Sequence, residues 1–235
     1  MLTFAVIVLF VVVGLYALNV VKERKAAFQA GADSLGFTYL GSVSPFTGTD
    51  CTGLTLITDT SRHVYRNVLV GKSGSPVVVP ELQYDLYVQP SLRRTASVSD
   101  DDLQNHSLIA YRIPHGSLPV FQVLSRGLFG NMGTPLAGNG PREMLTPEGV
   151  DLGSEEFADR YVVTTAEESA VRALFTPALI RAFVEQPPRT WLHVQTSPDW
   201  LLFYDPRIRI LTPRDVTPAL QRLGPLAEML TGATV

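Results

Sequence analysis

An uninterrupted apolar run near the start of the chain limits what it can fold into more than any other feature. From Leu2 to Val21 no side chain carries a charge. Fourteen of the twenty residues are Leu, Val, Ile or Phe, and Thr3 and Asn19 are the only clearly polar ones. At about 1.5 Å per residue a helix over this run would reach roughly 30 Å, the thickness of a bilayer's hydrocarbon core. Each Leu, Val, Ile or Phe near the middle of such a span favours insertion by roughly 0.3 to 0.6 kcal/mol. The run predicts a transmembrane helix over residues 1–21, with the lipid bilayer as partner through Leu2 to Val21.

The flanking charges orient that helix. Lys22-Glu23-Arg24-Lys25 follows it directly, and basic residues are retained on the cytoplasmic side. The expectation is a single-pass protein of the cell (inner) membrane, with its N-terminus outside and its C-terminal domain in the cytoplasm. A cleaved secretory signal, which would make the remainder a secreted domain, is the competing reading. It would place Lys or Arg before the apolar core and a small-x-small motif after it; here only the amino terminus precedes the run, and no such motif follows. A lipoprotein would need a cysteine at the end of the run, but the single cysteine, Cys51, lies well past it. A lone thiol forms no internal disulfide, which fits a reducing compartment.

Beyond the span, Ala26, Ala27, Ala30 and Ala32 favour helix and Gly36 is a terminator, so residues 22–35 read as a juxtamembrane helical stalk. Residues 36–235 are enough for a domain with its own core, with a possible subdivision near 127–145. The net charge of −3 comes with no basic stripe, which argues against nucleic acid as a partner. Three lysines stand against sixteen arginines, a bias attributable to coding. Eighteen glycines and 17 prolines make turns dense and the remaining helices short.

In order, residues 37–40 read as a first strand and 41–53 as a loop over the surface. Residues 63–70 and 76–88 read as a hairpin around Gly71-Lys72-Ser73-Gly74, with Pro80 at an edge or a bulge because it has no amide hydrogen to donate. Residues 107–113 and 118–124 are two further strands separated by a turn. Residues 127–142 read as a loop, and 150–152 and 157–164 as extended. Thr165-x-x-Glu168 has the form of a capping box for a helix over 166–175, and Thr176-Pro177 an N-cap and first-turn pair for a helix ending before Pro187-Pro188. Val171, Leu174, Leu179, Ile180 and Phe183 form the buried face of that pair. Residues 190–196 and 200–204 make a hairpin around Ser197-Pro198-Asp199, and 207–211 add a strand. A last helix over 218–230 turns Leu220, Leu223, Leu226 and Leu230 inward, with a kink or restart at Gly224-Pro225. Strands at hairpin spacing with few helices between them predict an α+β fold. It has an N-terminal transmembrane helix, a mainly antiparallel sheet, and short helices in the C-terminal half.

The search for chemistry gives no site: no catalytic, cofactor-binding or metal residues are assigned, and no cofactor is expected. His63, His106, His115 and His193 stand singly, without partners at zinc-ligand spacing. Nothing marks Cys51 as an activated nucleophile. Gly71-Lys72-Ser73-Gly74 lacks the spacing and the following helix of a phosphate loop. Ser99-Asp100-Asp101-Asp102 lacks the register of a calcium loop and reads as a solvated hairpin tip. His115, Ser117 and Asp85 can be written down as a triad, but a triad is defined by geometry, not by sequence. Trp191 and Trp200 are core residues by default and a stacking platform otherwise. Arg160 and Arg172, set in a β-forming run and on an apolar helix, are expected to pair with Glu155, Glu156 or Glu168.

Several short segments recur together. They are Leu35-Gly36-Phe37, Asn67-Val68-Leu69-Val70-Gly71, Leu118-Pro119-Val120-Phe121 and Pro147-Glu148-Gly149. Further on come Phe157-Ala158-Asp159-Arg160-Tyr161-Val162-Val163, Val171-Arg172-Ala173-Leu174-Phe175-Thr176-Pro177 and Trp200-Leu201-Leu202. In this arrangement the chain resembles a family of bacterial single-pass membrane proteins with an N-terminal membrane helix and no assigned activity. The resemblance covers nearly the whole chain. It departs at Pro80-Glu81-Leu82-Gln83-Tyr84, where that family carries an aromatic-rich strand. It implies a membrane-bound protein and no catalytic residues. The resulting expectation is a noncatalytic, membrane-anchored binding or scaffold domain with a possible protein partner. The alternative is a membrane-bound enzyme or cofactor binder with a site dispersed over the sheet.

Overall fold

The apolar run and the alanine-rich segment after it form one continuous helix, α1 (Leu2–Ser34), in the computed structural model of the protein. The structure describes residues 2–58, 63–71, 77–85, 103–113, 118–126, 149–187, 192–204 and 212–232. Helix α1 ends as expected at Gly36, whose φ of +75° is the left-handed conformation that a glycine adopts without strain. Side chains 2–8 and 10 fall outside the described set. Among the described residues no helix is long and apolar enough to cross a membrane. The helix is therefore shown, and its passage through a bilayer is not.

Among the described residues eight strands make one antiparallel sheet. They are β1 (Phe37–Gly41), β2 (His63–Gly71), β3 (Val77–Asp85), β4 (Leu103–Arg112), β5 (Phe121–Ser125), β6 (Tyr161–Thr165), β7 (His193–Thr196) and β8 (Trp200–Tyr204). Their order is β1-β2-β3-β4-β8-β7-β5-β6. The helices that join them are α2 (Thr55–Thr58), α3 (Glu155–Arg160), α4 (Glu168–Leu174), α5 (Pro177–Val184) and α6 (Val216–Thr231), with a 3₁₀ turn at Pro213–Asp215. The α+β class and the antiparallel sheet are as the sequence predicts. Strands β4 and β5 follow each other in the chain but do not pair. β4 lies against β8, and β5 between β7 and β6. One sheet thus takes strands from both sides of residues 127–145.

Strand β8 explains that order. Trp200-Leu201-Leu202-Phe203-Tyr204 is apolar at every position and buried at every position, so both of its faces must be covered. Leu201 and Phe203 face the helices, in a core with Ile109, Tyr111, Val163, Val194, Phe183 and the inner residues of α6. Trp200, Leu202 and Tyr204 face the other way, with Tyr65, Val68, Leu108 and Ala110. That second face is covered by residues 42–58, although 41–53 read as a loop over the surface. Phe46 decides the matter: it sits edge-on to Trp200 at 5.0 Å and tilted against Tyr65 at 5.8 Å, and Leu54, Leu56 and Ile57 complete the cover.

Two local expectations are corrected. Residues 157–160 are helical rather than extended, because Ser154 caps α3 by accepting from the Phe157 amide at 3.3 Å and Glu155 and Glu156 fill its first turn. The Thr165 capping box does not form. The Thr165 hydroxyl donates across the sheet to the Val120 carbonyl at 2.6 Å and accepts from Glu167 N, so α4 begins only at Glu168. Pro80, expected at an edge or a bulge, lies at a bulge of an interior strand. It falls where the β2–β3 register shifts, between Arg66↔Glu81 and Leu69↔Val79, so the missing amide costs no ladder bond. Opposite it Asn67 takes φ +48°, and its side-chain oxygen accepts from Tyr39 Oη at 3.3 Å. The Thr176 cap of α5 and the inward face of Val171, Leu179 and Phe183 hold as expected. α6 runs through Gly224-Pro225 as one helix, with Leu223, Leu226 and Leu230 buried.

Candidate functional site

The residues that could carry chemistry end up dispersed. His193 is buried on β7 and stacks on Tyr204, ring centroids 4.9 Å apart and 15° from parallel. His63 lies on β2 and His106 on β4, with β3 between them. His115, Ser117, Trp191, residues 99–102 and 207–211, and Lys72-Ser73-Gly74 fall outside the described residues. Gly71 ends β2, and the segment after it leads to an antiparallel strand rather than to a helix. Asp85 ends β3. Among the described residues no three His, Cys, Asp or Glu side chains converge as a metal site.

The arginines resolve differently from each other. Arg172 makes the expected pair with Glu168, Nη2 to Oε1 at 2.5 Å and partly exposed, and also donates to the Asp151 carbonyl. Arg160 does not pair with a glutamate. Its guanidinium donates to the Val184 carbonyl and, at 2.8 Å, to the Gln186 carbonyl, while covering the Tyr161 ring at 5.7 Å. Those are the open carbonyls at the end of α5, where a cation is favoured. Trp200 is core, and its indole Nε1 donates to Thr49 Oγ1 at 2.8 Å.

Cys51 sits at the corner where residues 42–58 meet β8. Asp199 holds that corner, accepting from the Asp50 amide at 2.7 Å, and Asp50 in turn accepts from Thr52 N at 2.8 Å. This amide bond holds the Asp50 carboxyl below its usual range. The Cys51 thiol is pushed the other way, first by burial and then by the carboxylates of Asp50 and Asp199, against a weak contact with Thr49 Oγ1 at 3.8 Å. A nucleophilic thiol needs the opposite environment, a neighbouring cation or a helix N-terminus. Deeper in, Gln195 and Gln122, paired across β7 and β5, bind the backbone and hydroxyl of Gly53, Thr55 and Leu56. This polar row fastens the segment to the sheet. The residue pattern shows polar positions in a strand but gives no hint of their partners, which are more than sixty residues away.

What remains is α1. Its described apolar side chains, Leu9, Val11, Val12, Val13, Leu15, Tyr16, Leu18, Val20 and Val21, are exposed, from 44% for Val20 to 72% for Tyr16. Consecutive helical residues are about 100° apart, so Val11, Val12 and Val13 alone point to most of the circumference. Asn19 Nδ2 donates to Glu23 Oε1 at 2.7 Å, closing the first polar turn on itself. Two turns further on the helix enters the domain. Phe28 and Ala32 are buried with Phe37 and Leu69, so this part of residues 22–35 packs into the core of the sheet domain.

No family model matches the chain, and no curated protein does. Among solved structures it is similar to the mycobacterial trehalose monomycolate transport factor A, TtfA. The two are 14% identical, with a TM-score of 0.47 over 90% of this chain and 97% of that one.

Proposed function

We propose that this protein is a membrane-tethered domain of the cytoplasm, binding a partner protein or lipid without catalysing a reaction. In this reading residues 1–21 cross the inner membrane once, 22–35 lead out of it, and 36–235 form the binding domain. The exposure of apolar side chains all around α1 between Leu9 and Val21 carries the proposal. An apolar helix face seeks a protein surface, whereas a helix apolar on every side is stable in lipid. The polar turn at Lys22, Arg24 and Lys25 marks the cytoplasmic end. The resemblance of the sequence segments to a single-pass membrane family supports the same topology. Two measurements test it together. The full chain should stay with the membrane in alkaline carbonate and leave it only in detergent, and a C-terminal fluorescent reporter should light up inside the cell. Release by carbonate, or a C-terminal reporter active only outside, would overturn the reading.

A further inference from the structure

We infer that the contact between α1 and the 3₁₀ turn at Pro213–Asp215 joins the membrane helix and the sheet into one rigid body, a coupling device that fixes the height and rotation of the domain at the bilayer. The inference rests on the membrane-tether reading. Its first support is that α1 is a single helix from Leu2 to Ser34 with no proline in it, so no hinge separates the apolar turns from the docked ones. The second is burial: Phe28 and Ala32, one turn apart on one face, are at most 2% exposed within the core that also holds Leu69, Val216 and Leu223. The third is the fit at Gly31. A Cβ placed there would stand 2.6 Å from Pro213 Cβ and 2.7 Å from its Cγ, so the backbone of α1 meets the proline ring directly. Arg24 lays its guanidinium over the Phe28 ring at 5.7 Å on the membrane side of this contact.

From Val21 to Phe28 is about 10 Å of helix, so the domain sits against the headgroup layer. The turn at Pro213–Asp215 runs directly into Val216 and α6, whose inner face packs in the same core as β8. A tilt or turn of the span therefore moves α6 and the sheet with it, and a load on α6 reaches the span by the same path. A flexible stalk would transmit neither.

The test uses the full chain with Cys51→Ser, in phospholipid nanodiscs. Spin labels are placed at Leu18→Cys on the span and at Glu156→Cys, exposed on α3. Pulsed dipolar spectroscopy reads the distance between them. One narrow distribution is expected. Gly31→Ala should more than double its width, Gly31→Ala with Pro213→Gly should narrow it again, and Gly14→Ala, where nothing lies within 4 Å, should leave it unchanged. Circular dichroism confirms that each variant keeps the sheet. A broad distribution in the parent, or one that Gly31→Ala does not widen, overturns the coupling. The Leu18 label alone, saturated by oxygen from lipid or by an aqueous nickel complex, reports the span separately. If nickel reaches it, the tether reading fails, and the inference falls with it for that distinguishable reason.

Discussion

Burial, reinforced by the carboxylates of Asp50 and Asp199, raises the Cys51 thiol above its ordinary 9.0. The sign of the consequence follows from the charges. A protonated thiol is neutral, so the folded chain keeps a proton that the unfolded chain releases. The contribution to stability is complete below 9.0 and is lost as the pH climbs past it. Iodoacetamide should therefore alkylate Cys51 more slowly in the folded protein than in urea near neutral pH, and Cys51→Ser should lessen the alkaline fall in stability measured by denaturation. Arg160 offers a second test at this scale. Arg160→Ala removes two charge-assisted bonds to the end of α5 and should cost about 1.5–3 kcal/mol in urea unfolding. Arg160→Lys keeps the charge but not the planar fork and should recover only part of it. The residue types at 51 and 160 were plain from the chain. Their roles were not, because the groups that define them, Asp199 for one and Val184 and Gln186 for the other, are distant in sequence.

Among the elements, caps that act on neighbouring amides were legible, and a cap whose hydroxyl the sheet diverts was not, although the helix it was read to open is present. Thr176 caps α5 because the amide it binds, Leu179 N at 3.3 Å, is three residues on. Thr165 has the same pattern with Glu168, yet it lies opposite Phe121 in the β5–β6 ladder, and the sheet takes its hydroxyl. Ser154 is the cap that the pattern hid, since the β-forming Tyr161-Val162-Val163 drew the reading of the whole segment toward strand. Replacing it by alanine should cost about 0.5–2 kcal/mol, seen as a lowered denaturation midpoint, and replacing it by aspartate should be nearly neutral. An aromatic cluster lies under α3, α4 and α5. Phe157 meets Phe175 and Phe183 edge-on at 5.9 and 5.8 Å, each such pair adding about 0.5–1.5 kcal/mol beyond area burial.

For the whole molecule, the docking of α1 changes what a truncation should do. Removing residues 2–21 takes away turns whose described apolar side chains are exposed and should yield a folded protein that needs no detergent. Removing residues 2–35 also takes Phe28 and Ala32 out of the core. The loss of Phe28 alone should cost about 3–5 kcal/mol. Comparing the two truncations by thermal denaturation separates anchor from core element: equal melting temperatures would show that the end of α1 contributes nothing to the fold. The second sheet face gives the same lesson. Residues 41–53 carry mostly small polar side chains and read as loop, and Phe46, set between Trp200 and Tyr65, joins Leu54, Leu56 and Ile57 to make residues 42–58 a layer.

By itself the sequence determined what depends on neighbours along the chain. That includes the apolar helix and its stop at Gly36, the β-forming runs, the Thr176 cap, the antiparallel α+β class, and the missing amide that sends Pro80 to a bulge. Periodicity, capping and backbone restriction act over a few residues, and a sequence displays them directly. Only the tertiary structure decided which strand lies beside which, that β4 and β5 part company around β8, and what Arg160 and Thr165 bind. It alone also showed that the last turns of α1 close on Pro213. Each of these is a contact between segments tens to hundreds of residues apart, chosen by the need to cover both faces of an apolar strand and give polar groups in the core their partners.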